Sequence, residues 1–271
     1  MNLLRQRLSD PRVLIRLNAF VLSYFGWILF GILYGYIGRW SVNVTNEFLK
    51  LPLTSKVLVY SVLDTIKAIP PLYELFRAVY YLGFAGSIGM MVVYLLIYLY
   101  DLETSDELLS RYLLAYAIAG SIYMMFHIYA PHVVYRIPGY SSESTLLTRQ
   151  EFVLPSLHNT FAAINILTIW KYRKRLGGKV LIAVNTLIPF ATVFLAHHWI
   201  YDVITGFLLA VLVSKVPSRW VLKAPEKIYS LEFDSLKAIT MVNLLLALIV
   251  FIIALSPGRW MLLIKSLLGQ P

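Results

Sequence analysis

The chain has 271 residues, 59% of them apolar and only 14% charged, and its mean hydropathy is +0.71. A water-soluble domain carries about 25% charged residues and fewer than 50% apolar ones, so a soluble or disordered protein is excluded. Lys and Arg number 24 against 14 Asp and Glu, a net +10 that in so apolar a chain marks loops facing anionic lipid rather than a nucleic-acid site, and the lack of cysteine removes disulfides, iron–sulfur clusters and thiolate chemistry.

A bilayer core takes about 20 apolar residues per spanning helix. In chain order the apolar stretches are Leu17 to Gly38, Ala78 to Tyr100, Tyr112 to Ala130, a shorter run from Pro155 to Tyr172, a continuous one from Val180 to Val216, and Leu236 to Ser256. The first is too long for a signal-peptide core and is read as retained. As one helix the stretch after Val180 would be roughly 55 Å long, nearly twice the hydrocarbon thickness. It is interrupted near its middle by His197-His198, so it is read as two spans joined there by a tight turn. The expectation is an all-α polytopic bundle of about seven transmembrane helices, a six-helix core plus one. In the segment between the first two spans, Val57, Leu58, Val62, Ile66 and Ile69 recur at helical spacing before Pro70-Pro71. They predict an amphipathic helix within residues 50–70, lying at the membrane interface. No repeat or linker divides the chain, so residues 1–271 are expected to form one integral-membrane domain.

Basic residues set the orientation. Lys171, Arg173, Lys174, Arg175 and Lys179 crowd one short loop, the N-terminal arm holds Arg5, Arg7, Arg12 and Arg16, and Lys215, Arg219, Lys223, Lys227 and Lys237 follow the sixth span. With these in the cytoplasm and Arg111 among them, 15 of the 24 basic residues lie inside. The N-terminus is then cytoplasmic.

All five histidines fall between positions 127 and 198. With alternating spans, His127 and His132 at the end of span three, His158 at the start of span four, and His197 and His198 between spans five and six share the face opposite the basic loop. Arg136, Glu143, Arg149 and Glu151 belong to a loop on that same face. That convergence predicts a pocket on the extracytoplasmic or lumenal side. Within it His198 and Asp202 are four residues apart, about 40° from the same helical face, which makes His198 rather than His197 the partner of the aspartate. An Asp near the mouth of a span is costly without a partner, and so points to function; a pair that only pins two helices is the structural alternative. Pro155 and Ser156 read as a helix start, with Ser156 the N-cap and His158 in the first turn, where unpaired amides suit phosphate.

Together these segments, FVLPSLHNTFA and TVFLAHHWIYDVITG, resemble the type-2 phosphatidic acid phosphatase superfamily. The likeness covers roughly residues 120 to 216. It is closest to the inositol phosphorylceramide synthase branch, where the helix opens P-S-L-H rather than P-S-G-H and a double histidine precedes the aspartate. The phosphatases carry a Ser-Arg pair shortly before H-x-x-x-D; here Ala191-Thr192 stands in its place, and synthase-like members lack that arginine too. Tyr129-Ala130-Pro131-His132 is similar to a short segment of the synthase branch, and Arg136 and Arg149 are the expected substitute cations.

The resemblance implies a catalytic core over about 112–216 and a metal-independent reaction without cofactor. His198 is the nucleophile, Asp202 orients it, and His158 is the general acid and base. Ser156, Arg136, Arg149, His132 and His197 are the expected substrate-binding residues. The expected partners are membrane lipids: a lipid-phosphate donor entering from the outer leaflet, and inositol or another alcohol, such as a lipid hydroxyl, as acceptor. With water as acceptor the enzyme is instead a lipid-phosphate or polyprenyl-diphosphate phosphatase. A non-catalytic transporter or scaffold with a structural His-Asp pair is the alternative of another class.

Overall fold

A computed structural model describes residues 2–142, 149–222, 238–246 and 248. Glu143 and most of the expected seventh span lie outside them. An N-terminal arm, α1 (Asn2–Leu8), leads into α2 (Pro11–Ile37), which opens on the Asp10 cap and a proline in its first turn. A two-residue strand β1 (Val42–Asn43) and a single turn α3 (Thr45–Phe48) follow.

The predicted amphipathic helix is α4 (Lys56–Lys67), capped by the Ser55 hydroxyl. Its Leu63 is buried against Ile137 and Ala196, so one face packs on protein directly above the central turn between spans. The next helix runs unbroken from Pro70 to Leu99. It begins at Pro70 rather than near Ala78, because proline lacks the N–H that the first turn leaves unused. It comprises α5 (Pro70–Ala78) and α6 (Phe84–Val93), each followed by a wider π-helical stretch, at Val79–Gly83 and Tyr94–Leu99.

The span expected from Tyr112 starts ten residues earlier, as α7 (Leu102–Met125), capped by Asp101. Hydropathy misses its first turns because they are charged. Those charges are paired instead, Arg16 with Asp106 at 2.6 Å and Arg111 with Glu107 at 3.2 Å. After α7 the chain forms β2 (Phe126–His127), which lies parallel to β1, and the turn α8 (Pro131–Val134).

The core is built on α9 (Leu157–Ile169), which packs between α7, α10 (Leu176–Phe194) and α11 (Ile200–Ser214). A short helix, α12 (Ser218–Val221), follows. The stretch after Val180 does fold as two helices joined at the histidines. Among the described residues four helices are long and apolar enough to cross a membrane: Pro11–Gly35, Pro70–Leu99, Leu102–Met125 and Leu176–Phe194. α9 and α11 are apolar but shorter, 13 and 15 residues, about 20 to 23 Å at the α-helical rise. The count of seven spans is therefore not reached on length. Residues 238–246 are helical and meet α2 through Asn18, which donates to Thr240 and accepts from Asn243.

Candidate active site

At the start of α9 the Ser156 hydroxyl accepts from the Asn159 backbone N–H (3.3 Å), the geometry of an N-cap. It also accepts from Asn159 Nδ2 at 2.9 Å, and it lies 3.2 Å from His198 Nε2. A hydroxyl has two lone pairs and one hydrogen. With both lone pairs taken by Asn159, the hydrogen is directed at Nε2, so Nε2 carries a lone pair and the proton of neutral His198 sits on Nδ1. That nitrogen faces Asp202 Oδ2 at 3.4 Å.

Asp202 lies in the first turn of α11, fully buried, and its Oδ2 also accepts the Trp199 backbone N–H at 2.6 Å. His198 precedes that helix by two residues rather than belonging to it, so the pair spans a helix entry and not one helical face. Among the described residues Asp202 Oδ1 is buried without a hydrogen-bond partner. The backbone carbonyl of Asp202 accepts from the Ser156 N–H at 3.2 Å, tying α11 to α9. Gly206, one turn on, permits this approach: a Cβ there would stand 2.8 Å from the Ser156 carbonyl oxygen.

The turn that carries the histidines is held from two sides. The amides of His197 and His198 both donate to the Thr192 carbonyl, at 2.9 and 3.0 Å. Ala196 has a left-handed φ of 55°, which a Cβ disfavours. Its carbonyl accepts from His132 twice, from the backbone N–H at 3.1 Å and from ring Nδ1 at 3.0 Å. His132 Nε2 is 3.1 Å from Gln150 Oε1. Both ring nitrogens of His132 thus face protein groups, and the side chain shapes the turn.

Burial opposes protonation here, because an imidazolium loses its water. It pulls His198 down to about 4, against an opposing pull from the Val153 carbonyl, and it lowers His132 and His197 as well. His198 is therefore neutral at physiological pH, the form with a nucleophilic lone pair.

Four of the five histidines are brought together. Ring centroids lie 5.6 Å apart for His158 and His198 and 5.0 Å for His132 and His197. His127 is elsewhere, its Nδ1 3.0 Å from Ser41 Oγ beside the β1–β2 pair. Arg149 is not brought to the group: its guanidinium donates to the Gly31 carbonyl of α2, at 2.7 and 3.1 Å. Arg136 is exposed and left-handed (φ 49°), and its side chain has no partner among the described residues. An apolar groove of about 670 Å³ between α2 and α7, lined by Trp27, Phe30, Leu113, Tyr116 and Gly120 among others, contains none of these groups.

The sequence profile of the PAP2 superfamily matches residues 105–226, which include the whole Ser156–His198–Asp202 arrangement. An uncharacterized protein of Methanocaldococcus jannaschii is 31% identical over 215 residues, covering 77% of this chain and 85% of that protein. The chain belongs to the PAP2 superfamily. No solved structure matches it. PAP2 membership points to phosphatase-type chemistry on membrane lipids, and four long apolar helices agree with an integral-membrane member.

Sequence reasoning missed several residues of this candidate site. Asn159 Nδ2 bridges Ser156 and Thr192 Oγ1, the latter at 3.1 Å, so the position where the phosphatases have arginine is here part of a buried polar brace. Spacing alone gives no reason to choose Asn159. Tyr80 and Phe84, next to His158 and His197, come from a helix some 70 residues upstream of α9, and no local pattern marks them.

Proposed function

We propose that this protein is a lipid phosphotransferase that works through a phosphohistidine at His198. The reading rests on one observation: His198 Nε2 lies 3.2 Å from the cap hydroxyl of α9, with Asp202 behind its other nitrogen. A phosphate entering there meets the Leu157 and His158 amides, which the first turn of any helix leaves without an intrahelical acceptor. It displaces the Ser156 hydrogen from Nε2, and the hydroxyl then donates to a phosphate oxygen. Nε2 attacks phosphorus and the bond to the leaving oxygen breaks as His158 supplies that oxygen's proton. Asp202 stabilises the charged ring through Nδ1–H. In the second half-reaction His158 takes the acceptor's hydroxyl proton, the acceptor oxygen bonds to phosphorus, and the N–P electron pair returns to Nε2. Arg136 is the cation assigned to the phosphate oxygens; Arg149, bound to α2, is the weaker candidate, and His197 lines the pocket.

The absence of the phosphatases' arginine at Thr192 supports an alcohol acceptor, inositol or a lipid hydroxyl, over water. The face opposite the Lys171–Lys179 loop supports an extracytoplasmic or lumenal site and a donor from that leaflet, since Ser156 and that loop are at opposite ends of α9. The test uses purified protein in detergent with chelator, given phospholipids and isoprenoid phosphates with and without inositol. Free phosphate and new lipid are followed together, with His198→Ala as control. A new head-group lipid that disappears in the variant is expected. Free phosphate alone makes the enzyme a phosphatase, and equal traces for wild type and variant defeat the phosphohistidine reading.

A further inference from the structure

The helix Pro70–Leu99 lies outside the PAP2 match, yet it forms a wall of the site. Phe76 packs edge-on against Phe194 of α10 (5.1 Å between centroids), and Phe84 lies 4.2 Å from the His158 ring. Between them is Tyr80, in the π-helical stretch Val79–Gly83. A π turn inserts an extra residue and shifts the helical register, a distortion frequent at functional sites.

The Tyr80 ring stacks on His197 at 4.0 Å, with the planes 4° apart, and on His158 at 5.2 Å and 21°. One ring thus faces both the acid–base histidine and the neighbour of the nucleophile. Among the described residues its hydroxyl has no hydrogen-bond partner, so the ring rather than the hydroxyl makes the contacts. Among the described residues His158 has no carboxylate behind it to fix its orientation, as His198 has in Asp202; besides His198, the rings beside it are those of Tyr80 and Phe84. An aromatic face attracts an imidazolium, most strongly where water is excluded.

We infer that Tyr80 is a positioning residue of the active site, whose ring, presented by the π turn, holds His158 for proton transfer and stabilises its protonated form. This rests on the acid–base role proposed for His158. It assigns to the first hundred residues, which carry none of the superfamily motif, a part in the chemistry.

The test compares Tyr80→Leu, Tyr80→Met and Tyr80→Phe with wild type and His198→Ala, on dioctanoyl phosphatidic acid in detergent micelles with and without inositol, following free phosphate and new lipid together and using only monodisperse, folded protein. Without the ring, kcat falls about tenfold at nearly constant KM, the size of one desolvated cation–ring contact. Methionine fills the same space without a π face and gives the same loss, while phenylalanine recovers most of the turnover. Wild-type kcat in both Leu and Met variants overturns the inference, as does a Phe variant as slow as they are. Full activity in His198→Ala overturns the phosphohistidine reading itself, and leaves the ranking of the Tyr80 variants to be judged separately.

Discussion

Two aspartates stand at opposite ends of α9, and their surroundings differ in kind. Asp101, near the C-terminal end, caps α7 by accepting from the Thr104 N–H (3.0 Å) and hydroxyl (2.7 Å), accepts from the Tyr172 hydroxyl, and pairs with Lys171 at 2.9 Å. Burial alone would raise its pKa, but these donors outweigh it and hold the carboxyl below its usual range. Asp202, near the N-terminal end, is fully buried with one oxygen bare and a histidine only loosely engaged at 3.4 Å. The first end has the donors a carboxylate needs for stability. The second leaves one carboxyl oxygen without a donor beside the imidazole on which positive charge develops during the proposed reaction.

Substitution at the two ends should therefore have opposite consequences. The largest effect expected is on turnover. Asp202→Asn keeps an acceptor for the Trp199 N–H but removes the charge that stabilises the His198 cation, and kcat should fall about 10³- to 10⁴-fold. Because Oδ1 has no hydrogen bond to lose and the amide oxygen can still accept from Trp199, the melting temperature in detergent should not fall. A variant that loses stability while keeping activity would erase the distinction between the ends. Next in size is Gly206→Val. Its Cβ would press on the Ser156 carbonyl from 2.8 Å, separating α11 from α9 and hence His198 from the cap; a displacement near 1 Å costs about 10²-fold in rate. Steady-state kinetics should show the loss in kcat, with a milder one in Gly206→Ala. Asp101→Ala should leave kcat within about twofold and cost about 2 kcal/mol of stability, roughly 5 °C in Tm, through the lost cap and hydrogen bonds. A large fall in kcat there would mean that the two ends are coupled.

The contrast also explains what the sequence made legible. Ser156, His158, His198 and Asp202 are readable because the roles proposed for them depend on short-range order: a cap beside a proline, and a four-residue spacing at a helix entry. The fold of the stretch after Val180 is readable because bilayer thickness limits helix length. The early start of α7 is hidden, because Asp106, Glu107 and Arg111 look like loop residues until their partners are known. Arg149 was expected at the phosphate because it shares a loop with Arg136; the Gly31 carbonyl that holds it is over a hundred residues away. Tyr80 is hidden for the same reason, being an ordinary aromatic in an ordinary apolar run until the helices assemble.

The last effect expected is a gradual one with pH that concerns the histidine end alone, and its sign follows from proton counts. An unfolded histidine titrates near 6.5, while burial holds folded His198 at about 4. Between those values the unfolded chain binds the extra proton, so acid favours unfolding there, and the stability from a neutral His198 is complete only above about pH 6.5. The difference amounts to roughly 3 kcal/mol, lost progressively as pH falls from about 6.5 to about 4. His132 and His197 are lowered in the same direction and add to the slope. Asp101 contributes little in this window, since its lowered pKa bears on stability only below about pH 5, where the unfolded carboxyl begins to take up protons. Tm measured against pH should therefore fall across this window in the wild type and less steeply in His198→Gln, whose amide does not titrate. The slope of Asp101→Ala should match that of the wild type. An unchanged slope in His198→Gln would place the acid sensitivity elsewhere and remove the burial argument for a neutral nucleophile.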